Sequence, residues 1–250
     1  MLIMMDLHCH ILPGIDDGAQ NLKESLEMAK KAVDQGITHI LCTPHHNQRY
    51  QNPRDEILQR VPQLQREFDQ RGIPLTLFEG QEVRIHRNLI EEIKQNRILF
   101  TDVEDTYLLT EFPTREIPDY AEELLYELRT MGKVPIIVHP ERNFGFQDEP
   151  NRLLGFLNMG CLAQLTAPSI VGVFGKTVQK LSKEFVQHGL VQMVASDAHS
   201  RKTRDFYLKE AYATIEKDFG KTVIEKMDQT CKDVINGDPV VLKGYTAIGS

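Results

Sequence analysis

The sequence DLHCHILPGIDDG, residues 6–18, follows an apolar run at residues 2–5 and decides how the rest of the chain is interpreted. His8 and His10 are two positions apart, so on an extended strand their side chains point to the same side and are able to hold one metal ion. After the turn at Pro13-Gly14, Asp16 and Asp17 return toward the histidines, and either carboxylate is a candidate ligand. Taken alone, the motif also fits a solvated strand end.

Apolar strands and amphipathic helices alternate along the whole chain, which predicts a parallel sheet. No linker or break in composition divides the chain, so we expect a single domain over residues 1–250, built as one closed or nearly closed α/β barrel. The seven predicted strands are residues 2–5, 38–43, 75–78, 107–109, 134–138, 161–166 and 192–195. The helix over residues 57–68 contains Pro62, which predicts a kink or a late start.

Composition excludes several classes of protein. The 250 residues carry a net charge of −7, which argues against general binding to nucleic acid or to an anionic membrane. No apolar run reaches the length of a membrane span and no leader is recognisable, so we expect a cytoplasmic protein without membrane insertion. A homo-oligomer is compatible with the sequence.

Six of the seven predicted strands end in residue types that bind metals. In parallel α/β barrels the carboxyl ends of the strands meet at one mouth, so these residues are expected to form one cluster. Nitrogen and oxygen donors without thiolate suit manganese, iron or zinc. The candidates are His8, His10, His45, Glu82, Glu111, His139, Asp197 and His199, together with Asp17 of the opening loop.

Two arginines follow these strand ends closely. Arg142 lies three residues after His139, and Arg204 lies five residues after His199. Guanidinium groups match phosphate oxygens in a bidentate way, so both arginines are candidates for substrate binding and for stabilising charge during catalysis. Arg201 and Lys202 compete with Arg204 for this role, and an ordinary solvated arginine remains the alternative.

The remaining histidines and the cysteines do not fit a catalytic role. We expect His39 in the core or rim, His86 and His188 at the surface, and His46 beside the ligands but pointing away from them. A cysteine-dependent phosphatase needs cysteine and arginine separated by five residues to cradle phosphate. Residues of other types stand at that position after each of the four cysteines, namely Ile15, Gln48, Ala167 and Gly237. This spacing excludes a thiolate nucleophile of that kind.

Several strings together resemble a known family, the CpsB/CapC-type protein-tyrosine phosphatases of the polymerase and histidinol phosphatase (PHP) superfamily. The resemblance runs from about residue 5 to residue 219 and implies a distorted (β/α)7-type TIM-like barrel, the PHP fold. The strings are DLHCHILP at residues 6–13, DDG at 16–18, TPHH at 43–46, GQE at 80–82, EF at 111–112, HPER at 139–142 and ASDAH at 195–199.

The resemblance also implies a site with three divalent ions, usually Mn²⁺, with iron or zinc as alternatives. One ion would take His8, His10, Glu82 and Asp197, a second Glu82, Glu111 and His139, and a third Asp17, His45 and His199, while Arg142 and Arg204 would bind phosphate. Family substrates are phosphotyrosine-containing proteins, notably a bacterial tyrosine kinase that controls capsule or exopolysaccharide synthesis. The expected chemistry is phosphomonoester hydrolysis by attack of a metal-activated hydroxide.

Three other interpretations compete with this one. Another PHP enzyme would hydrolyse histidinol phosphate or a phosphodiester. An amidohydrolase also uses a strand-end His-x-His, but that class commonly bridges its metals with a modified lysine, whereas Glu82 and Glu111 stand at the corresponding strand ends here. A non-catalytic protein that binds metal and captures phosphorylated partners would leave phosphate in place.

Overall fold

Nine strands form two hydrogen-bonded parallel sheets in the computed structural model, which describes residues 4–200 and 204–249. One sheet has the order β1-β2-β4 and the other the order β3-β5-β6-β7-β8-β9. Residues 2 and 3 of the predicted first strand lie outside the described residues. The strands are β1 (Met5–Cys9), β2 (His39–Cys42), β3 (His45–His46), β4 (Thr76–Glu79), β5 (Glu82–Arg84), β6 (Tyr107–Glu111), β7 (Val134–Val138), β8 (Leu162–Thr166) and β9 (Met193–Ala195).

Helices follow most strands and place the next strand parallel to the last, as right-handed β/α connections do. They are α1 (Leu22–Asp34), α2 (Arg54–Gln70), α3 (Leu89–Lys94), α4 (Ala121–Thr130), α5 (Phe144–Asp148), α6 (Arg152–Asn158), α7 (Ala167–Val171), α8 (Lys176–Gln187), α9 (Leu208–Phe219) and α10 (Lys221–Asn236). Asn21 is the N-cap of α1, since its side chain accepts a hydrogen bond from the backbone N–H of Glu24. Among the described residues, no helix is long and apolar enough to cross a membrane.

Strands overlap all seven predicted positions, although β1 shares only Met5 with the predicted residues 2–5 and continues to Cys9, and two short strands were not predicted. These strands, β3 and β5, are separated by two residues from the ends of β2 and β4, and they pair with each other through His45 and Glu82. At the break between β4 and β5, Gly80 packs against the side chain of Leu41 so closely that a Cβ atom would collide with it. The break between β2 and β3 and the break between β4 and β5 separate the two sheets, since β2 and β4 belong to one sheet and β3 and β5 to the other.

The first and last strands also lie side by side. The backbone N–H of His10 donates to the carbonyl of Ala198 over 2.9 Å, and the N–H of Asp197 donates to the carbonyl of His8 over 2.8 Å. A parallel bridge joins Cys9 and Ala198. The ends of β1 and β9, which both carry candidate ligands, are therefore held together by backbone hydrogen bonds.

The core has an inner and an outer part, because successive strand residues face opposite sides. Outward-facing apolar residues pack under the helices in one large cluster. A second, smaller cluster combines inward-facing strand residues with two residues of α10, and its buried members are Met5, Leu7, Leu41, Tyr107, Leu109, Ile136, Val138, Leu162, Met193, Cys231 and Val234. The hydroxyl of Tyr107 donates to the carbonyl of Asp238 and so fastens the start of the C-terminal segment to β6.

Local helix details differ from the predictions in two ways. Helix α2 begins at Arg54 and continues through Pro62, so the late start is wrong; Ile57, Val61 and Leu64 are buried on both sides of the proline and hold that helix against the core. The short helices α5 and α7 and the 3-10 turn Pro140–Arg142 were not predicted, because three to five residues are too few to show helical periodicity.

Candidate metal centre

The candidate ligands from six strand ends and the loop after β1 lie around one cavity of about 1140 Å³. Its lining includes Asp17, His45, Glu82, Glu111, His139, Asp197 and His199, together with Arg142 and Arg204. His8 and His10 lie beneath them and are almost fully buried. Parallel strands bring their carboxyl ends together, which explains how residues separated by almost two hundred positions share one site.

His8 of β1 and His10, the residue directly after β1, turn the same ring atom toward each other. Nε2 of His8 lies 3.2 Å from Nε2 of His10. Nδ1 of His8 is hydrogen-bonded to Oε1 of Gln164 over 2.7 Å, and Nδ1 of His10 to Oδ2 of Asp16 over 2.8 Å. Because amide and carboxylate oxygens only accept, each Nδ1 donates a proton to its partner, and Nε2 is the atom that each ring turns toward the site.

Two carboxylate oxygens complete this group. Oε2 of Glu82 lies 3.3 Å from both Nε2 atoms, and Oδ1 of Asp197 lies 3.5 Å from that of His8 and 3.4 Å from that of His10. Both oxygens are buried and make no hydrogen bond to any described residue. Two imidazole nitrogens and two carboxylate oxygens that face one another in a buried place are stabilised by a positive charge between them. The donor set therefore fits a divalent cation.

The attraction for positive charge is also visible in the pKa values. Burial would lower the pKa of His10, but the carboxylates around it, Asp16 foremost, raise that pKa well above its ordinary value. Burial would likewise raise the pKa of Glu82, yet the neighbouring imidazoles of His45 and His8 hold it well below its usual range. The raised pKa of His10 reflects the negative charge around it, and the lowered pKa of Glu82 shows that positive charge beside this carboxylate is favourable.

A second group lies at the mouth. Oδ1 of Asp17 is 3.3 Å from Nε2 of His45 and 3.4 Å from Nε2 of His199, and His10 is close enough to share an ion with them. These imidazoles lower the pKa of Asp17, whose side chain is half exposed. Burial, together with the neighbouring His10, lowers the pKa of His199, so that this ring is available as a neutral donor.

The structure distinguishes the two aspartates of the opening loop. Asp16 is buried and accepts hydrogen bonds from His10, from the N–H of Gly18 and from the N–H of His45. Both of its carboxylate oxygens therefore hold the loop in place. Asp17 faces the cavity. The loop fits only with glycine at position 18, since a Cβ atom there would collide with the backbone of His10. Asp16 therefore orients a ligand, and Asp17 is placed to be one.

Glu82 is the central carboxylate of the site. Its Oε1 lies 2.9 Å from Nε2 of His139, and its Oε2 lies 2.8 Å from Nδ1 of His45. Oε2 of Glu111 is 3.9 Å from the same Nδ1. His45 is thus grouped with both glutamates, while His139 is grouped with His8 and Asp197. This differs from the grouping implied by the resemblance, which placed His139 with the glutamates and His45 only with Asp17 and His199.

Burial and neighbouring charges shift the pKa of Glu111 and the pKa of His139 in opposite directions. Burial and the negative charge of Glu82 raise the pKa of Glu111. Burial and the guanidinium of Arg142 lower the pKa of His139 to about 3, so its imidazole is neutral and able to donate an electron pair. A cation beside Glu111 would reverse its shift by favouring the ionised carboxylate.

Two of these ligand candidates have a strained backbone. His139 has φ of 40° and Asp197 has φ of 51°, in the left-handed region that non-glycine residues rarely occupy. His139 directly follows β7, and Asp197 lies two residues after the end of β9. Such conformations cost on the order of 1–3 kcal/mol and concentrate at functional sites. The turn aims both side chains into the cluster.

The two candidate phosphate-binding arginines meet on one carboxylate. Nη2 of Arg142 lies 2.8 Å from Oδ2 of Asp197, and Nη1 of Arg204 contacts the same oxygen. Although burial would raise the pKa of Asp197, these charges hold it well below its usual range. Glu141 fixes the turn that carries Arg142, since its Oε1 accepts hydrogen bonds from Ser169 Oγ and Thr166 N–H. Arg201 and Lys202 lie outside the described residues.

Sequence reasoning missed some residues around the site and misjudged one histidine. Gln164 was not recognised, since it lies on β8, the one predicted strand without a ligand type at its end. His86 was expected at the surface, but it lines the cavity and lies 3.6 Å from Glu92. His46 is buried and hydrogen-bonded to Glu92 over 2.9 Å, pointing away from the cluster as expected. His188 is bonded to Thr246 at the exposed side.

The fold and the site define the class of this protein. It is a parallel α/β protein whose candidate metal ligands lie at the carboxyl ends of the strands. The family described as "Capsular polysaccharide synthesis, CpsB/CapC" matches residues 4–235, and the chain belongs to this family. It is 42% identical over 219 residues to the tyrosine-protein phosphatase YwqE of Bacillus subtilis (strain 168), covering 87% of this chain and 85% of the relative.

Solved structures agree with this placement. The crystal structures of YwqE from Bacillus subtilis and CpsB from Streptococcus pneumoniae, described as unique metal-dependent tyrosine phosphatases, include a chain with a TM-score of 0.94 and 36% identity, covering 99% of this chain and 100% of that one. A histidinol phosphate phosphatase from Lactococcus lactis has a TM-score of 0.55 at 14% identity, covering 91% of this chain and 94% of that one, and shares the fold.

Proposed function

We propose that this protein is a metal-dependent protein-tyrosine phosphatase, a phosphoric monoester hydrolase. The observation that carries the proposal is the convergence of His8, His10, Glu82 and Asp197, whose imidazole Nε2 and carboxylate oxygen atoms face one another over 3.2–3.5 Å. Membership of the CpsB/CapC family and similarity to YwqE support phosphotyrosine as the substrate.

Nine residues are proposed as metal ligands. When bound, divalent ions at such a site make water a better nucleophile and draw charge away from phosphoryl oxygens. We propose Mn²⁺ as the bound metal, with iron or zinc as alternatives, because the donor groups are imidazole and carboxylate. The proposed ligands of three ions are His8, His10, Asp17, His45, Glu82, Glu111, His139, Asp197 and His199.

Arg142 and Arg204 are proposed to bind and orient the phosphoryl group. Both line the cavity and both reach Asp197, so their guanidinium groups lie beside the proposed ions. A carboxylate that is shared with a cation holds the arginines less strongly, which leaves their N–H groups free to donate to phosphate oxygens. There they stabilise the charge that develops during phosphoryl transfer.

The finer architecture is part of the proposal. We infer that β3 continues β2 and that β5 continues β4, so that the nine strands correspond to the seven of a distorted (β/α)7-type TIM-like barrel. The hydrogen bonds between β1 and the residues after β9 support this arrangement. The whole chain, residues 1–250, is then one PHP-type domain, which we place in the cytoplasm.

The proposed partner is a phosphotyrosine-containing protein, with a bacterial tyrosine kinase that controls capsule or exopolysaccharide synthesis as the first candidate. The test is a side-by-side assay of phosphate release from a phosphotyrosine peptide, histidinol phosphate and an oligonucleotide. We expect release from the peptide, loss of that activity after exhaustive chelation, and recovery on addition of Mn²⁺.

Other outcomes would reject the proposal in different ways. Preference for histidinol phosphate or for the oligonucleotide would favour another PHP activity. Stoichiometric binding of the phosphopeptide without phosphate release would favour a capture protein. Activity that survived exhaustive chelation would contradict metal dependence altogether.

A further inference from the structure

The cavity extends beyond the proposed metal ligands into a region that is rich in arginine. Among the described residues, no lysine lines it, and six arginines do: Arg49, Arg84, Arg87, Arg97, Arg142 and Arg204. Arg142 and Arg204 belong to the proposed phosphate site. Of the other four, Arg84 ends β5, Arg49 and Arg87 lie on the loops after β3 and β5, and Arg97 follows α3. In a chain with a net charge of −7, this concentration of positive charge is unexpected.

Two of these arginines rest on tyrosine rings at the mouth. Cζ of Arg49 lies 4.9 Å from the ring centroid of Tyr50, and Cζ of Arg87 lies 4.7 Å from that of Tyr120. Both arginines are exposed, whereas both tyrosines are partly buried. A guanidinium group stacked on a ring keeps its N–H donors in the plane of the group and loses less freedom when it binds an anion.

The supporting rings are themselves fixed to the site. The ring of Tyr50 stacks on that of His45, with centroids 6.1 Å apart and planes within 11°. The hydroxyl of Tyr120 donates to the carbonyl of Ile85, which directly follows β5. The positions of Arg49 and Arg87 are thus tied to the strands that carry His45 and Glu82.

No carboxylate of the described residues neutralises these two arginines. Arg49 and Arg87 form no ion pair there, in contrast to Arg84, whose Nε lies 2.8 Å from Glu111. Five carboxylates line the cavity, and four of them, Asp17, Glu82, Glu111 and Asp197, are proposed metal ligands. The fifth, Glu92, is bonded to His46 and lies near His86. The charge of Arg49 and Arg87 is therefore available to a ligand.

We propose that Arg49 and Arg87 form a subsite for anionic side chains that flank the phosphotyrosine of the substrate. This inference rests on the proposed function and deepens it by adding a sequence preference. Forked guanidinium groups recognise planar carboxylates and phosphates, so glutamate, aspartate or a second phosphorylated side chain supplies the required chemistry. The substrate segment is thus acidic around its phosphotyrosine.

The experiment compares phosphotyrosine peptides that differ only in the three residues on each side of the phosphotyrosine. One peptide has glutamates there, a second has glutamines, a third has one phosphoserine among glutamines, and a fourth has lysines. The full-length protein loaded with Mn²⁺ is assayed for kcat/KM. Binding of matched peptides with a non-hydrolysable phosphonate in place of phosphotyrosine is measured by fluorescence anisotropy. The wild type is expected to prefer the glutamate peptide over the glutamine peptide, and the phosphoserine peptide shows whether phosphate serves as well.

The variants separate the subsite from the phosphate site. Arg49→Gln and Arg87→Gln should each reduce kcat/KM and affinity for the glutamate peptide about two- to fivefold, the effect of an exposed ion pair, with little change for the glutamine peptide. The double change Arg49→Glu with Arg87→Glu should reverse the preference toward the lysine peptide. Arg66→Gln, an exposed arginine of α2 outside the cavity, serves as the matched control and should change none of these values.

Salt provides an independent readout, since the preference should shrink as ionic strength rises and the charges are screened. Equal rates for the glutamate and glutamine peptides, unaffected by the arginine changes, would overturn this inference and leave the proposed function intact. Absence of hydrolysis for all peptides would instead reject the proposed function.

Discussion

Nε2 of His8 faces Nε2 of His10 across 3.2 Å, and each ring has its other nitrogen hydrogen-bonded to an acceptor. This relationship makes the site depend on residues outside the ligand set, because Gln164 and Asp16 decide which nitrogen of each ring is protonated. A ring that lost its acceptor would be free to rotate or to change tautomer.

Changing Gln164 to leucine should weaken metal binding without unfolding the protein. The Gln164→Leu variant leaves Nδ1 of His8 without an acceptor in a buried place, and loss of such partners costs about 10- to 100-fold in metal affinity. Competition with a fluorescent chelator measures the affinity for Mn²⁺. Gln164→Glu keeps the acceptor oxygen and should retain more affinity than the leucine variant. Gln63→Leu, at an exposed position of α2, is the control. Unchanged affinity in Gln164→Leu would show that the hydrogen bond does not orient the ligand.

Arg142 should matter for catalysis more than for metal binding. We expect Arg142→Ala to lower kcat for a phosphotyrosine peptide by about 10²- to 10³-fold, the usual effect of removing one donor to developing charge. Arg142→Lys keeps the charge but loses the fork and should fall in between. The measurement is steady-state kinetics, with bound metal counted by mass spectrometry. A variant that kept wild-type kcat would contradict the proposed role.

Metal ions should stabilise the fold. Ions that bind the buried carboxylates of Glu82, Glu111 and Asp197 in the folded protein, and bind the unfolded chain weakly, shift the folding equilibrium toward the folded state. A ligand present at about 100 times its dissociation constant contributes roughly 2.7 kcal/mol, or roughly 5–10 °C in melting temperature for a chain of this size. Calorimetry with Mn²⁺, with Mg²⁺ and with chelator tests this. Equal melting temperatures in all three would argue against a preformed site.

The four cysteines should be unreactive in the native protein. All are buried, and burial raises the pKa of Cys161 to about 12 and that of Cys9 and Cys42 well above the ordinary value. A thiol whose pKa is raised is almost entirely protonated at pH 8, and the thiolate is the reactive form. We expect Ellman's reagent to detect no thiol until guanidinium is added, and four thereafter. Rapid labelling accompanied by loss of phosphatase activity would instead point to a cysteine nucleophile.

The predicted strand ends illustrate what a sequence of this kind reveals. Each of the seven strands is marked by its own apolar residues, and the parallel arrangement brings their carboxyl ends together whatever the loops do. His8, Glu82, His139 and Asp197 therefore could be assigned to one place before any coordinates were known. Their contacts in the structure, such as 2.9 Å between His139 and Glu82, agree with that expectation.

Features that depend on long-range pairing could not be read in the same way. The partner of His8 is Gln164, 156 positions away, and nothing local marks that glutamine. The breaks that create β3 and β5 depend on how Gly80 meets Leu41, and the rings beneath Arg49 and Arg87 become supports only after the loops fold. The choice between Asp16 and Asp17 likewise required the hydrogen bonds to His10 and Gly18.

The most direct test is an anomalous-scattering map of crystals of the purified protein, collected at the absorption edges of manganese, iron and zinc. We predict peaks at the mouth of the strands, one among His8, His10, Glu82 and Asp197 and others beside Glu111 and beside Asp17. A map without peaks among these residues, from protein that still hydrolyses phosphotyrosine, would contradict the metal centre on which the proposed function rests.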